Sequence, residues 1–181
     1  MRNREKGFSL IELLIVVAII LIIAAIAIPN LLQSRQRANE SSASGTLRTI
    51  NTSEVTFQTT YGVGFANNLT RLGGPVGAAP TCDNAQLIDN VVGCAAEPCT
   101  KSGYQFNSNE PLEGGGTATG SGLTNAGCAN QGMTDYAYKA EAQANQGKRD
   151  YYTGSSGVIR FCIRTDPATP CGVSFSSNAL Q

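Results

Sequence analysis

A chain of 181 residues with thirteen Lys and Arg against thirteen Asp and Glu, six Cys, no His and no Trp is sized for one domain and lacks the basic balance of a nucleic-acid binder. Without histidine, Ser–His and Cys–His nucleophile pairs, HExxH zinc sites and imidazole proton shuttles are excluded. Chemistry would fall to carboxylates, Lys, Tyr or Cys, and the one close acid pair, Glu110 and Glu113, adjoins a glycine-rich stretch with no pocket signature, so no enzyme is expected.

The charges are unevenly placed. Residues 1–7 hold three basic side chains and one acid, and Phe8-Ser-Leu-Ile-Glu12 then leads into sixteen uninterrupted apolar residues, Leu13 to Ile28. As a helix, Phe8–Ile28 would be roughly 32 Å long, enough for the ~30 Å hydrocarbon core of a bilayer. The basic flank predicts a cytoplasmic amino end and an exported remainder. A secretory signal peptide shares this order of charges, but its apolar region is shorter and ends at a small-residue cleavage site. Glu12 is costly inside such a span unless neutralised. A chain cut after Gly7 would carry its new α-amine on Phe8, one helical turn from Glu12, and amine and carboxylate of two neighbouring, axially offset chains would then compensate each other. The alternative is a Glu12 that lies near the interface and snorkels.

Lys6-Gly7-Phe8-Ser9-Leu10-Ile11-Glu12-Leu13 before this apolar span resembles the class III signal of type IV pilins and of the related type II secretion pseudopilins, over about the first sixty residues. The resemblance implies a cytoplasmic-face prepilin peptidase that cuts between Gly7 and Phe8 and N-methylates Phe8, with Lys6 in the basic leader. It also implies that Glu12 and Pro29 serve assembly, and that the helix around Pro29 unwinds when subunits pack into a filament.

Pro29 removes a helix donor and is expected to bend or loosen the helix. Leu31 to Tyr61 reads as its amphipathic continuation, with Ala43, Leu47, Ile50, Phe57 and Tyr61 near one stripe. Arg35, Gln36, Arg37, Asn39 and Glu40 form a charged collar, and Gly62 and Gly64 stop the helix. From Asn67 on the composition turns to Gly, Ser, Thr, Asn and Pro. Leu87–Val92 reads as a short helix, and Tyr104–Asn107, Thr134–Ala142, Tyr151-Tyr152, Val158–Arg164 and Val173–Phe175 as strands. Tyr136, Tyr138, Ala140 and Ala142 alternate on one face, as do Ile159, Phe161 and Ile163. Gly114–Gly122 reads as an exposed loop.

The expectation is therefore an α+β, pilin-like fold in which a long N-terminal helix packs on a C-terminal antiparallel sheet. Its parts are a cleaved leader (1–7), a membrane and assembly helix (8–29), an amphipathic continuation (30–61) and an exported head (62–181).

All six cysteines, Cys82, Cys94, Cys99, Cys128, Cys162 and Cys171, lie in that head, and their even number favours three disulfides in an oxidising compartment. Six cysteines permit fifteen pairings. Cys162 with Cys171 closes a loop turned by Asp166-Pro167 and Thr169-Pro170, and resembles the disulfide-closed C-terminal loop of many type IV pilins. For the others, sequence proximity suggests Cys82–Cys94 and Cys99–Cys128. No metal or cofactor is expected: there is no CxxC pair, and Asp150 and Asp166 are too few for the C-terminal calcium cage that the resemblance associates with major pseudopilins.

Removing residues 1–7 leaves ten basic and twelve acidic side chains. The reading is a prepilin held in the inner membrane, its head in the periplasm, and polymerised into a cell-surface pilus; a periplasmic pseudopilus for protein export is the alternative. Its partners would be copies of itself, the prepilin peptidase, an inner-membrane assembly platform and, before assembly, membrane lipid. Tyr and Phe fall at core-like positions, which favours packing over charge relay.

Overall fold

The computed structural model describes residues 8–66, 68–75, 77, 79–108, 119–123, 125 and 128–171. The chain divides into two compact units, Met1–Arg35 and Gln36–Gln181. Helix α1, Leu10–Tyr61, contributes to both and is assigned as one helix of 52 residues with Pro29 inside it. The helix continues through Pro29, where the proline removes one donor. At the other end Gly62 adopts φ +66° and its N–H bonds the Gln58 carbonyl at 3.0 Å. That left-handed cap is open to glycine at little cost.

In the unit Gln36–Gln181 the helix buries Ala43, Thr46, Leu47, Ile50, Ser53, Glu54 and Phe57. Their spacing of three and four keeps them on one stripe. Tyr61 is only half-buried, at the edge of that stripe. The stripe packs on five strands: β1 Cys99–Lys101, β2 Tyr104–Asn107, β3 Ala137–Ala142, β4 Arg149–Gly154 and β5 Arg160–Ile163. Neighbours in sequence are neighbours in the sheet, in the order β1-β2-β3-β4-β5, and every pairing is antiparallel. Hairpin β1–β2 turns through Ser102 and Gly103 at φ 49° and 74°, the double positive φ that suits the twist of paired strands.

Large residues oppose small ones across the buried face. Tyr104 pairs with Ala142 and Phe106 with Ala140, and Ala140 pairs with Tyr151 on its other side. All five are buried in one core with Leu47, Ile50, Phe57, Leu69, Leu72 and Tyr138. Aromatics interlock at its rim: Phe65 meets Tyr136 edge-on at 4.9 Å, and Tyr136 lies 5.6 Å from Tyr138.

Several expectations are corrected. Residues 87–92 form no helix and only 90–92 make a hydrogen-bonded turn, because Asp89 Oδ1 accepts the N–H groups of Val91 and Val92, both at 3.0 Å. Such local bonding competes with helix propagation. The helix of this region is instead α2, Leu69–Leu72, capped by the Asn68 side chain. Strand β3 begins three residues later than expected, since Met133 is spent on isolated bridges to Phe65 and Gly120. Strand β5 lies at the sheet edge, so Ile163 is 63% exposed and the alternation with Ile159 and Phe161 ends there. Of the glycine stretch, 114–118 lies outside the described residues, as do Glu110, Glu113 and Val173–Phe175. Residues 119–122 are tied in: Thr134 N–H bonds the Thr119 carbonyl at 2.9 Å and Ser121 N–H the Gly132 carbonyl at 2.8 Å.

The disulfides are Cys82–Cys128, Cys94–Cys99 and Cys162–Cys171. Cys82–Cys94 and Cys99–Cys128 are therefore the wrong pairs. Arg71 explains the difference: its Nε donates to the Cys82 carbonyl at 2.8 Å while Nη1 and Nη2 donate to the Gln131 and Asn130 carbonyls at 2.8 and 2.6 Å. It thereby gathers the segments of Cys82 and Cys128, far apart in sequence.

Candidate processing and assembly segment

Lys6 and Gly7 lie outside the described residues. Phe8, which would head a chain cut after Gly7, is 85% exposed. Ser9 precedes α1, and its backbone N–H donates to Glu12 Oε2 at 2.9 Å. Glu12 thus occupies the third helical position and caps a free donor, one half of a capping box. Ser9-x-x-Glu12 is the sequence signal for this, and the intramembrane reading of Glu12 overlooked it. The carboxylate has a local partner within one chain, besides any role with the Phe8 amine of a neighbour.

Downstream, Leu10, Ile11, Leu13 through Val17, Ile19 through Ile23, Ile26, Ile28, Leu31 and Leu32 are all exposed. Among the described residues, α1 is the helix long and apolar enough to cross a membrane. A soluble surface does not carry so continuous an apolar face, so this segment demands lipid or protein around it.

The collar residues serve the head more than expected. Gln36 Nε2 donates to the Asn145 carbonyl at 3.1 Å, Asn39 Nδ2 to the Gln146 carbonyl at 3.1 Å, and Lys148 N–H to Glu40 Oε1 at 2.8 Å. Helix α1 is thereby fastened to the turn between β3 and β4. Arg35 and Arg37 are exposed.

Sequence reasoning missed the acid on the buried stripe. Glu54, fully buried, accepts the Ala66 N–H at 2.8 Å and the hydroxyl of Tyr138. Burial pushes its pKa up from 4.5 to about 7, against the lowering effects of Tyr138, Ala66 and Arg71. Its place between Ile50 and Phe57 in a 3.6-residue period is the signal that was available. Arg71 is the cationic counterpart, stacked 5.0 Å over Phe57 and 3.7 Å from Asp83; burial lowers its pKa, with Asp83 and Glu54 opposing.

Under the C-terminal loop, Asp150 is fully buried. It accepts the N–H of Ala142 at 2.8 Å and of Cys171 at 2.9 Å. Asp150 also lies close to the sulfurs of Cys162 and Cys171. Both sulfurs are committed to a disulfide and the carboxylate to Arg164, so the group is a structural clamp. Asp166 is likewise engaged, by Ala168 N–H and the Thr169 hydroxyl, both at 3.0 Å.

A membrane-length apolar helix that runs on into the spine of an antiparallel-sheet head, behind a Gly-Phe-x-x-x-Glu signal, defines a pilin-like α+β protein. Residues 2–28 match the family model described as the prokaryotic N-terminal methylation motif. The chain is 36% identical over 121 residues to the type IV major pilin protein PilA of Myxococcus xanthus, covering 61% of this chain and 55% of that one. It is 68% identical over 41 residues to the type IV wide pilus major component PilA4 of Thermus thermophilus, covering 23% of this chain and 30% of that one. Against the type IV major fimbrial protein FimA of Dichelobacter nodosus, identity is 52% over 52 residues, 27% of this chain and 33% of that one. The chain thus spans about half the length of the first of these relatives and about a third of the other two. No solved structure matches. Motif, fold and relatives together make the chain similar to type IV pilins.

Proposed function

We propose that this chain is the structural subunit of a type IV pilus. It is made as an inner-membrane prepilin with its head in the periplasm, cut after Gly7 by a prepilin peptidase, N-methylated on Phe8 and polymerised through α1 on an inner-membrane platform. The observation that carries this reading is the intact processing signal directly ahead of a fully exposed apolar helix. Such a helix is stored in lipid, and in a filament it is buried against copies of itself. Phe8 and Glu12 would set the axial register, since a new amine and a carboxylate that meet in a low-dielectric core neutralise each other. The pilin character of all three relatives favours a pilus over a pseudopilus.

The test is to delete the gene, restore it in wild-type and Gly7-substituted forms, and shear the cell surface. Filaments from the wild-type strain should contain a chain that starts at N-methylated Phe8. Uncut chains in normal filaments from the Gly7 variant would refute the processing, and wild-type cells without filaments but with a defect in protein export would favour the pseudopilus.

A further inference from the structure

The turn between β3 and β4, docked on α1 through Gln36, Asn39 and Glu40, assembles a basic surface. Arg37 stands one turn before Glu40 on the helix, so their side chains share a face. Glu40 Oε1 holds the Lys148 N–H at 2.8 Å and Oε2 lies 3.6 Å from Arg149 Nη1. Arg149 thus pairs with Glu40, the Lys148 backbone is held beside the same carboxylate, and Arg37 lies one helical turn away. Among the described residues the head groups of Arg37 and Lys148 have no acidic partner. Both side chains are exposed, and Arg149 is 44% exposed. The nearby acids are spent elsewhere: Glu141 pairs with Lys139 at 2.8 Å, and Asp150 is buried against Arg164.

In sequence, Arg37 follows Ile28, the end of the uninterrupted apolar run, by nine positions, roughly 14 Å of helix. The polar headgroup layer outside the hydrocarbon core takes up about 5–8 Å of that, which leaves Arg37 within a Debye length of lipid phosphate.

We infer that Arg37, Lys148 and Arg149 form a headgroup-binding surface for anionic phospholipid, engaged while the subunit is stored in the membrane. The inference rests on the membrane-anchored reading above and adds to it the class of lipid. Guanidinium and ammonium groups bind phosphate oxygens by charge-assisted hydrogen bonds, and each basic residue near an anionic surface is worth about 1 kcal/mol, close to a fivefold change in occupancy.

The experiment reconstitutes the full chain, one copy per nanodisc, in phosphatidylcholine or in phosphatidylcholine with phosphatidylglycerol. Amine-reactive labelling, read by peptide mass spectrometry, compares Lys148 with Lys101, whose ammonium is held by Asp89 at 2.6 Å. Lys148 should label about fivefold more slowly in the anionic discs, Lys101 equally in both, and high salt should erase the difference. Arg37→Gln should weaken the protection and Arg37→Lys keep it. Equal labelling of Lys148 in the two lipids overturns the inference, as does protection that appears only when discs hold several copies, which would assign the surface to a neighbouring subunit. A chain that enters neither disc overturns the membrane reading itself.

Discussion

Arg164 meets Asp150 side-on beneath the C-terminal loop: its Nε donates to both carboxylate oxygens at 2.9 Å, and Nη2 lies 2.8 Å from Oδ1. The same carboxylate accepts the Cys171 N–H, so one buried acid holds both the strand end and the far end of the disulfide loop. Asp150→Asn leaves the guanidinium buried without its counter-charge, which should cost about 3–5 kcal/mol. Thermal unfolding of the full chain in detergent checks the loss, and limited proteolysis should show earlier cutting at 164–171. Asp150→Asn combined with Arg164→Met should lose less than the sum of the two single changes.

Glu54 makes the head pH-sensitive. Its folded pKa lies above its ordinary value, at about 7 against 4.5, so the folded state binds the proton more tightly than the unfolded state. The associated stability is fully present below pH 4.5 and is lost as pH rises to about 7, for a total of about 3 kcal/mol. Glu54→Gln should flatten that part of the stability–pH curve. A slope unchanged between pH 5 and 7 would remove Glu54 as its source.

Arg71 tests the difference between a charge and a shape. Arg71→Met strands three carbonyls, those of Cys82, Asn130 and Gln131, and should destabilise the head by about 3–5 kcal/mol. Arg71→Lys should recover little of this, because an ammonium cannot reproduce the planar fork. Denaturant titration of the two variants measures both effects.

The three disulfides should rank by the loop each closes, with separations of 46, 9 and 5 residues for Cys82–Cys128, Cys162–Cys171 and Cys94–Cys99. Chain entropy gives about 4, 3 and 2 kcal/mol in that order. Paired Cys→Ser variants compared by unfolding test the ranking, and non-reducing peptide mapping tests the connectivity.

Two roles can be separated at Glu12: the cap on the Ser9 N–H and the proposed pairing with the Phe8 amine. Glu12→Gln keeps an oxygen for the Ser9 N–H but loses the charge, whereas Glu12→Val loses both. Amide exchange over the first turn of α1 should accelerate only in Glu12→Val, by the factor that about 0.5–2 kcal/mol of lost capping gives. Filament yield should fall in both variants. Normal yield from Glu12→Gln would show that charge pairing with the Phe8 amine is not required.

The N-terminal third of the molecule was legible from sequence alone. Its information is local: a segment that matches the N-terminal methylation motif, an apolar run of membrane length and a helical stripe ended by Gly62 each depend on residues within a few turns of one another. Strand β2 was also readable, because its period-two burial of Tyr104 and Phe106 is written into the chain itself, whereas β3 buries Ala137 and Lys139 as well as Tyr138, Ala140 and Ala142. What tertiary structure decided were the relationships between distant segments. Cys82 pairs with Cys128 because Arg71 draws their carbonyl-rich loops together, Glu54 is buried because Tyr138 and Ala66 arrive to satisfy it, and Glu40 meets Lys148 because a hairpin turn docks there. Apart from the place of Glu54 on the helical stripe, none of these has a local periodicity or spacing, since each depends on which groups are desolvated together once the sheet closes over the helix.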